Sequence, residues 1–276
     1  MTADRAGGAS EVHVSLRNLT RVYPARAGQP DIHALGPIDL DLREGEFFAV
    51  VGPSGCGKST LLDVIAGLAR PSAGEGTFEG RRIDGRVPDG IGAVFQEDAS
   101  FPWLTVFDNI AFGLRHAGQG EAEVRAQTTY ALEFMGLKDF ARAYPAQLSG
   151  GMRQRVCIAR TLVLKPRLIL LDEPFGALDQ QTRLLMGDEL LRLWRETRAT
   201  ILLITHALDE ATMLADRVGV MSARPGRFLE IVTTNWPRDR DSTIVSNEAF
   251  GRLTSRIWAL LRGESLRALG REQGVA

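Results

Sequence analysis

Short unbroken apolar runs alternate along the chain with longer stretches of helical period. Phe47-Phe48-Ala49-Val50-Val51, Ile91 to Phe95, Leu168-Ile169-Leu170-Leu171, Thr200 to Thr205 and Arg217 to Met221 read as strands. Leu61 to Ala66, Arg183 to Thr197 and Leu208 to Ala215 read as helices between them. Strands that alternate with helices predict a mostly parallel sheet covered on both faces.

Around this core the pattern changes three times. Val12 to Val22 alternates loosely as a strand that ends at Tyr23-Pro24, Gly28 to Pro30 marks a turn, and Ile38 to Leu42 is a second strand. Glu44-Gly45-Glu46 then turns tightly into Phe47, and the glycine-spaced stretch Gly74 to Gly85 predicts a hairpin. From about Ser100 to Leu164 the period is helical, which reads as an insertion into the sheet domain. Thr105 to Leu114 puts Val106, Ile110, Ala111 and Leu114 on one face, and Glu121 to Met135 offers Val124, Tyr130, Ala131, Phe134 and Met135 for burial. Near the end, Phe228 to Val232 is a further strand. Glu248 to Arg262 gathers Phe250, Leu253, Ile257, Leu260 and Leu261 on one side, as a helix packed back on its own domain. The expected division is a disordered tail at 1–10, one domain over 11–235 with the helical part at about 100–165, and a helical extension over 236–276.

Composition narrows the partners. With 276 residues and 44% apolar content the core can be large, and a net charge of −1 gives no electrostatic footprint for nucleic acid. No apolar run approaches the length of a bilayer span, and Met1 to Ser10 carries no apolar signal region, so any membrane role comes through a partner. Cys56 and Cys157 make neither a metal spacing nor a disulfide framework. Cys56 lies in a glycine-rich loop and is expected to be open to oxidation, which suits a reducing compartment.

That loop is Gly52-Pro53-Ser54-Gly55-Cys56-Gly57-Lys58-Ser59-Thr60. It stands between a strand and a helix, the context of a phosphate-binding loop. Glycines let its N–H groups turn inward at the positive end of the next helix, Lys58 supplies a compact charge, and the Ser59 hydroxyl can join a Mg²⁺ shell. Lysine is rare here: of 33 basic residues only Lys58, Lys138 and Lys165 are lysine, and one of them falls in this loop. The pattern points to a nucleoside triphosphate. Two further stretches carry chemistry. Leu168 to Leu171 runs into Asp172-Glu173, which places two carboxylates at the carboxyl edge of the sheet, one suited to metal and one to a general base. Ser149-Gly150-Gly151 opens a helix and would present bare N–H groups to an anion.

Leu148-Ser149-Gly150-Gly151-Met152-Arg153-Gln154-Arg155 resembles the signature motif of ATP-binding cassette (ABC) ATPases, and the other motifs of that family fall in order around it over roughly residues 11–235. The resemblance implies an α/β fold: a P-loop NTPase (RecA-like) core with a mostly parallel sheet, an N-terminal antiparallel β subdomain and an inserted α-helical subdomain. It implies ATP and Mg²⁺ as ligands. Tyr23 matches the aromatic that stacks on adenine, Gly52 to Thr60 the phosphate loop, and Gln96 the glutamine that senses Mg²⁺ and the attacking water. Asp172 matches the metal-holding aspartate and Glu173 the catalytic glutamate. Ser149, Gly150 and Gly151 match the signature that caps the γ-phosphate held by the opposite subunit. Ala177-Leu178-Asp179 matches the loop that crosses between subunits, and His206 the histidine on the γ-phosphate. Met152 stands where glutamine is common and Ala207 where aspartate is common; neither removes a group the chemistry needs.

The family mechanism implied is a sandwich of two copies around two ATP, closed by ATP and opened by hydrolysis. Phe101-Pro102-Trp103-Leu104-Thr105-Val106-Phe107-Asp108-Asn109-Ile110 and Ser222-Ala223-Arg224-Pro225-Gly226-Arg227 resemble the ATPases of nitrate, sulfonate and taurine importers. Such a subunit is expected peripherally, on the cytoplasmic face of the inner membrane. Integral-membrane permease subunits would be its partners and, through them, a periplasmic or lipoprotein solute-binding protein, with no nucleic acid. Trp103 either lines the groove for a short helix of the membrane subunit or is buried within the insertion. The other class of reading is a cassette ATPase acting on DNA or ribosomes, which tends to show paired cassettes, coiled-coil insertions or zinc cysteines.

Overall fold

The computed structural model describes residues 11–25, 30–96, 99–176 and 178–273, with the side chains of 269–273 left aside. The expected tail at 1–10, the turn from Gly28 and Ala177 lie outside the described residues.

The architecture is α/β, with the mostly parallel central sheet expected from the sequence pattern. Six strands form its central sheet: β3 (Phe47–Val51), β6 (Ile91–Val94), β7 (Leu168–Asp172), β8 (Thr200–Ile204), β9 (Arg217–Met221) and β10 (Phe228–Thr233), in the order β10-β9-β3-β8-β7-β6. Every pairing is parallel except the antiparallel edge between β10 and β9. Side chains alternate across a strand, so an unbroken apolar run feeds two cores at once. Phe47, Ala49, Val51, Ile169, Leu171, Ile201 and Leu203 face one core, against α5 (Gln180–Thr197) and α6 (Leu208–Leu214). Phe48, Val50, Leu168, Leu170, Leu202 and Ile204 face the other, against α1 (Lys58–Ile65) and a second sheet. Both sides of the sheet are dry.

The second sheet is antiparallel, ordered β2-β1-β4-β5 from β1 (Val12–Tyr23), β2 (Ile32–Arg43), β4 (Ala73–Phe78) and β5 (Arg81–Arg82). The predicted strand at Ile38 to Leu42 is longer than its pattern suggests, because it runs through Gly36 and Pro37, residues that normally punctuate strands. Gly36 has φ +117°, and a Cβ there would stand 2.5 Å from the Thr20 methyl. Close pairing with β1 therefore requires glycine at that point.

The helical insertion comprises α2 (Val106–His116), α3 (Glu121–Phe134) and α4 (Gly150–Leu162). Thr105 caps α2 by accepting the Asp108 N–H at 3.1 Å, with the Asn109 amide tied to Phe101, Leu104 and Thr105 below it. On α3 the buried stripe is Val124, Thr128 and Leu132, one residue per turn. Tyr130 lies about 200° round the helix from Thr128 and is exposed, contrary to its expected burial. α7 (Glu248–Gln273) packs Phe250, Ile257 and Leu261 into the core on α6, as its periodicity predicts.

Candidate nucleotide-binding site

β3 delivers the chain into the phosphate loop. Gly57 caps α1 in the left-handed region (φ +109°), and a Cβ there would lie 2.6 Å from the Ala34 carbonyl oxygen on β2. Only glycine fits, and no side chain caps the first turn, so the helix end presents its N–H groups and positive dipole to the loop. Pro53 is buried, Ser54 and Gly55 are exposed at the tip, and Thr60 is half-buried behind them. Lys58 is buried, and its Nζ donates to the carbonyls of Gly52 (2.9 Å) and Pro53 (3.0 Å). The ammonium is thus held inside the loop, aimed where phosphate oxygens would sit. Cys56 is also buried, and burial raises its thiol pKa, so the expected sensitivity to oxidation is corrected: a protonated, enclosed thiol is inert.

Two strands away, β7 ends in the carboxylates. Asp172 is buried, which pushes its pKa up, while a hydrogen bond from Ser59 and the charge of Lys58 oppose that rise. A buried carboxylate beside a hydroxyl, short of full compensation, is a site that welcomes a small hard cation. Mg²⁺ characteristically takes one or two carboxylates and completes its shell with water and phosphate. Among the described residues, no group of three or more His, Cys, Asp or Glu is placed to hold a metal ion by itself.

Glu173 follows in the left-handed region (φ 48°), held there by its own N–H donating to the Ile204 carbonyl of β8 at 2.8 Å. This conformation is costly for a non-glycine residue and turns the side chain out of the strand line. Its Oε2 accepts from Gln96 Nε2 at 3.1 Å, and His206 Nδ1 lies 3.2 Å from the same oxygen. Three residues from the ends of β6, β7 and β8 therefore meet on one carboxylate oxygen.

Thr205 and Glu210, not singled out from the sequence, hold the segment that carries His206. The Thr205 hydroxyl donates to Glu210 Oε2 (3.2 Å) and accepts from the Ala207 N–H (3.0 Å). That second bond fixes the N–H of Ala207, the residue at the start of α6, which has no side-chain cap of its own. Burial raises the Glu210 carboxyl to about 7. The legible signal was a charged residue beside the apolar residues Ala211, Met213 and Leu214.

The remaining predicted residues lie apart from this centre. Ser149 caps α4, accepting the Met152 N–H at 3.3 Å, and is exposed with Gly150. A Cβ on Gly151 would fall 2.4 Å from Leu178 Cδ2, so the α4 start is packed against the loop before α5. Asp179 caps α5 by accepting from the Thr182 N–H (3.0 Å) and hydroxyl (2.7 Å), bonds that lower its pKa. Among the described residues, no hydrogen bond or ion pair joins Ser149, Gly150 or Gly151 to the phosphate loop. Tyr23 ends β1 half-buried with the Arg21 guanidinium 4.4 Å over its ring. Trp103 is 72% exposed and stacks on Phe101, which overturns the buried alternative for it.

A strand-loop-helix phosphate cradle beside a paired carboxylate edge defines a nucleotide-hydrolysing cassette. The family model described as ABC transporter matches residues 35–176, and the chain belongs to that family: it is an ABC-type ATP-binding subunit and an ATPase. It is 42% identical to the nitrate import ATP-binding protein NrtD of Synechocystis sp., over 91% of this chain and 96% of that one. It is 44% identical to the taurine import ATP-binding protein TauB of Pseudomonas aeruginosa, over 79% and 85%. Among solved structures, a dimeric post-hydrolysis state of the ATP-binding cassette MJ0796 bound to ADP and Pi aligns with a TM-score of 0.73 at 32% identity, covering 81% of this chain and all of that one.

Proposed function

We propose that this protein is the ATP-hydrolysing subunit of an importer, coupling hydrolysis in a two-copy sandwich to solute uptake through separate membrane subunits. The convergence of Gln96 and His206 on Glu173 Oε2 carries the mechanistic part of this reading. Lys58 and the loop N–H groups hold the β- and γ-phosphates of ATP. Ser59, Asp172 and the Gln96 amide are the residues that would hold Mg²⁺, which when bound neutralises developing phosphate charge. Glu173, oriented by its two neighbours, takes the proton of the attacking water, and His206 contacts the γ-phosphate. Tyr23 stacks on adenine with Arg21 bound to its ring.

Ser149, Gly150 and Gly151 cap the γ-phosphate bound by the other copy, and Asp179 lies in the loop that crosses between copies. Ser149 is exposed at the start of α4, which supports this arrangement, in which each half-site needs a partner. ATP then acts as a population switch, binding the closed pair better than the open one.

Names of the relatives at 40–44% identity support import of nitrate, taurine or a similar small solute. Among the described residues no helix is long and apolar enough to cross a membrane, so integral-membrane permease subunits would supply the path. A periplasmic or lipoprotein solute-binding protein would act through them, and this subunit would sit at the cytoplasmic face. Exposed Trp103, stacked on Phe101 and backed by Phe112 and Arg160, offers an aromatic surface for a short permease helix. Purification of the tagged protein from its native membranes tests the reading. Two integral-membrane subunits should co-purify and stimulate its hydrolysis; retention on ribosomes or DNA instead would overturn it.

A further inference from the structure

A second cleft of about 710 Å³ opens at the opposite edge of the central sheet. Its lining residues Glu44, Arg167 and Ala199 precede β3, β7 and β8, whereas the phosphate loop follows β3. The volume falls in the range of small-molecule sites. One wall is apolar, from Ala131 and Phe134 of α3 and Leu162 at the end of α4. The other is a fixed polar network: Glu79 binds His13 at 3.2 Å and Arg167 at 2.9 Å, and His13 reaches the Thr200 hydroxyl.

Charge decides what would fit. Every acid in the lining is engaged: Glu79 as above, Glu196 with Arg192 at 3.6 Å, and Glu44 with a partner of its own. Lys165 and Arg198 are different. Both line the cleft, both are exposed, and neither side chain makes a hydrogen bond or ion pair with any described residue. Both also occupy left-handed backbone positions (φ 50° and 54°) just past the ends of α4 and α5, where glycine would be the unstrained residue. The cleft thus combines an apolar wall with two unpaired cations.

We propose that it binds a small amphiphilic anion, an aliphatic or aromatic carboxylate, with the apolar body on Ala131, Phe134 and Leu162 and the charge at Lys165 and Arg198. The site is regulatory. α4 runs from its Ser149 cap to Leu162 in the cleft wall, and α5 from its Asp179 cap to Thr197, so two helices join the cleft to the proposed copy-to-copy face. A ligand wedged between α3 or α4 and the end of α5 favours one arrangement of the insertion against the sheet. This coupling, unlike binding itself, rests on the sandwich reading given above.

Calorimetry on the nucleotide-free protein separates the two. The probes are decanoate and naphthalene-2-carboxylate below micelle-forming concentrations, with decylammonium as the charge-reversed control. At least one carboxylate should bind saturably, one per chain, and Lys165→Gln with Arg198→Gln should weaken it about tenfold, as loss of charged hydrogen bonds does. Failure of both carboxylates to bind, equal binding by decylammonium, or undiminished affinity in the double variant would each overturn the site. Ala131→Trp, which fills the cleft without touching charge, should abolish binding and serves if the double variant does not fold. The bound carboxylate should change the wild-type ATPase rate about twofold and leave Ala131→Trp unaffected. Retained binding with an unchanged rate refutes the regulatory role alone.

Discussion

At the residue scale the site is a set of groups whose environments differ sharply. Glu173 accepts from Gln96 and lies 3.2 Å from His206 Nδ1, so its substitution by glutamine keeps the shape and removes the proposed base. We expect Glu173→Gln to bind ATP within about twofold of wild type while turnover falls by roughly 100-fold or more, the usual worth of a positioned base. Near-normal turnover would remove Glu173 from that role. Lys58→Ala should instead lose ATP affinity by about tenfold or more, since the proposed contact of the ammonium with phosphate is charge-assisted.

Glu210 gives a pH prediction. Its folded pKa of about 7 lies above the ordinary 4.5, because burial outweighs the Thr205 hydrogen bond and the nearby Arg183, with Glu173 adding to the rise. The folded state therefore holds a proton that the unfolded state has released, and stability falls as pH rises from about 4.5 through 7. Glu210→Gln should flatten that slope and raise stability at pH 8 relative to wild type by an amount on the order of 3 kcal/mol. Urea denaturation at several pH values measures it; parallel slopes in the two proteins would contradict the assignment.

The limits of sequence were also set residue by residue. The placement of Lys58, Asp172 and Ser149 at the ends of their strands and helices was legible because each sits among fixed neighbours in the chain. Gln96 and His206 could be matched only through resemblance, since what joins them to Glu173 is a meeting of three strand ends. The buried placement of Cys56 was misread, because loop glycines suggest openness while Gly226 packs against the Cys56 backbone from a segment far along the chain.

At the element scale, the strands of the central sheet were found within a residue, whereas α1 and α5 begin three residues earlier than their pattern suggests and α7 runs on past Arg262 to Gln273; the other misses have physical causes. β2 was cut short by Gly36-Pro37, whose turn signal is overridden by pairing with β1. Tyr130 was assigned to a buried face because it is aromatic, although the stripe of α3 runs through Thr128. The segment after β10 had little pattern, yet it is anchored by Arg240. That side chain is fully buried, donates to Asp216 Oδ1 at 2.9 Å and to the Leu214 carbonyl, and covers Trp194. Arg240→Met keeps some packing but leaves Asp216 with the Phe47 N–H alone. Asp216 is about a third exposed, so loss of its partner costs about 1–2 kcal/mol and the melting temperature should drop by roughly 2–5 °C. Differential scanning calorimetry showing a change under a degree or so would refute the anchor.

For the whole molecule, the proposed two-copy arrangement would make hydrolysis an assembly property. ATPase activity per chain should rise with protein concentration, and Ser149→Ala chains mixed with Lys58→Ala chains should regain part of the activity each lacks alone. Complementation fails if both elements serve a single copy. Trp103→Ala should leave this basal activity intact while lowering stimulation by the membrane subunits, because the ring is exposed and, of the groups named above, stacks on Phe101 alone. Stimulation equal to wild type would sink the docking surface.

The order of strands in the central sheet also bears on how the chain is made. β3 carries the phosphate loop, yet both of its neighbours, β8 and β9, come from about 150 residues further on. At ordinary synthesis rates of about 5–20 residues per second, Phe47 to Val51 waits roughly 10–30 seconds after emerging before either flank exists. Throughout that interval one of the most apolar segments of the protein has no sheet to join. A newborn chain of this kind is most vulnerable to aggregation in the very strand that later holds the nucleotide, and a chaperone that shields nascent apolar segments would find its natural target there.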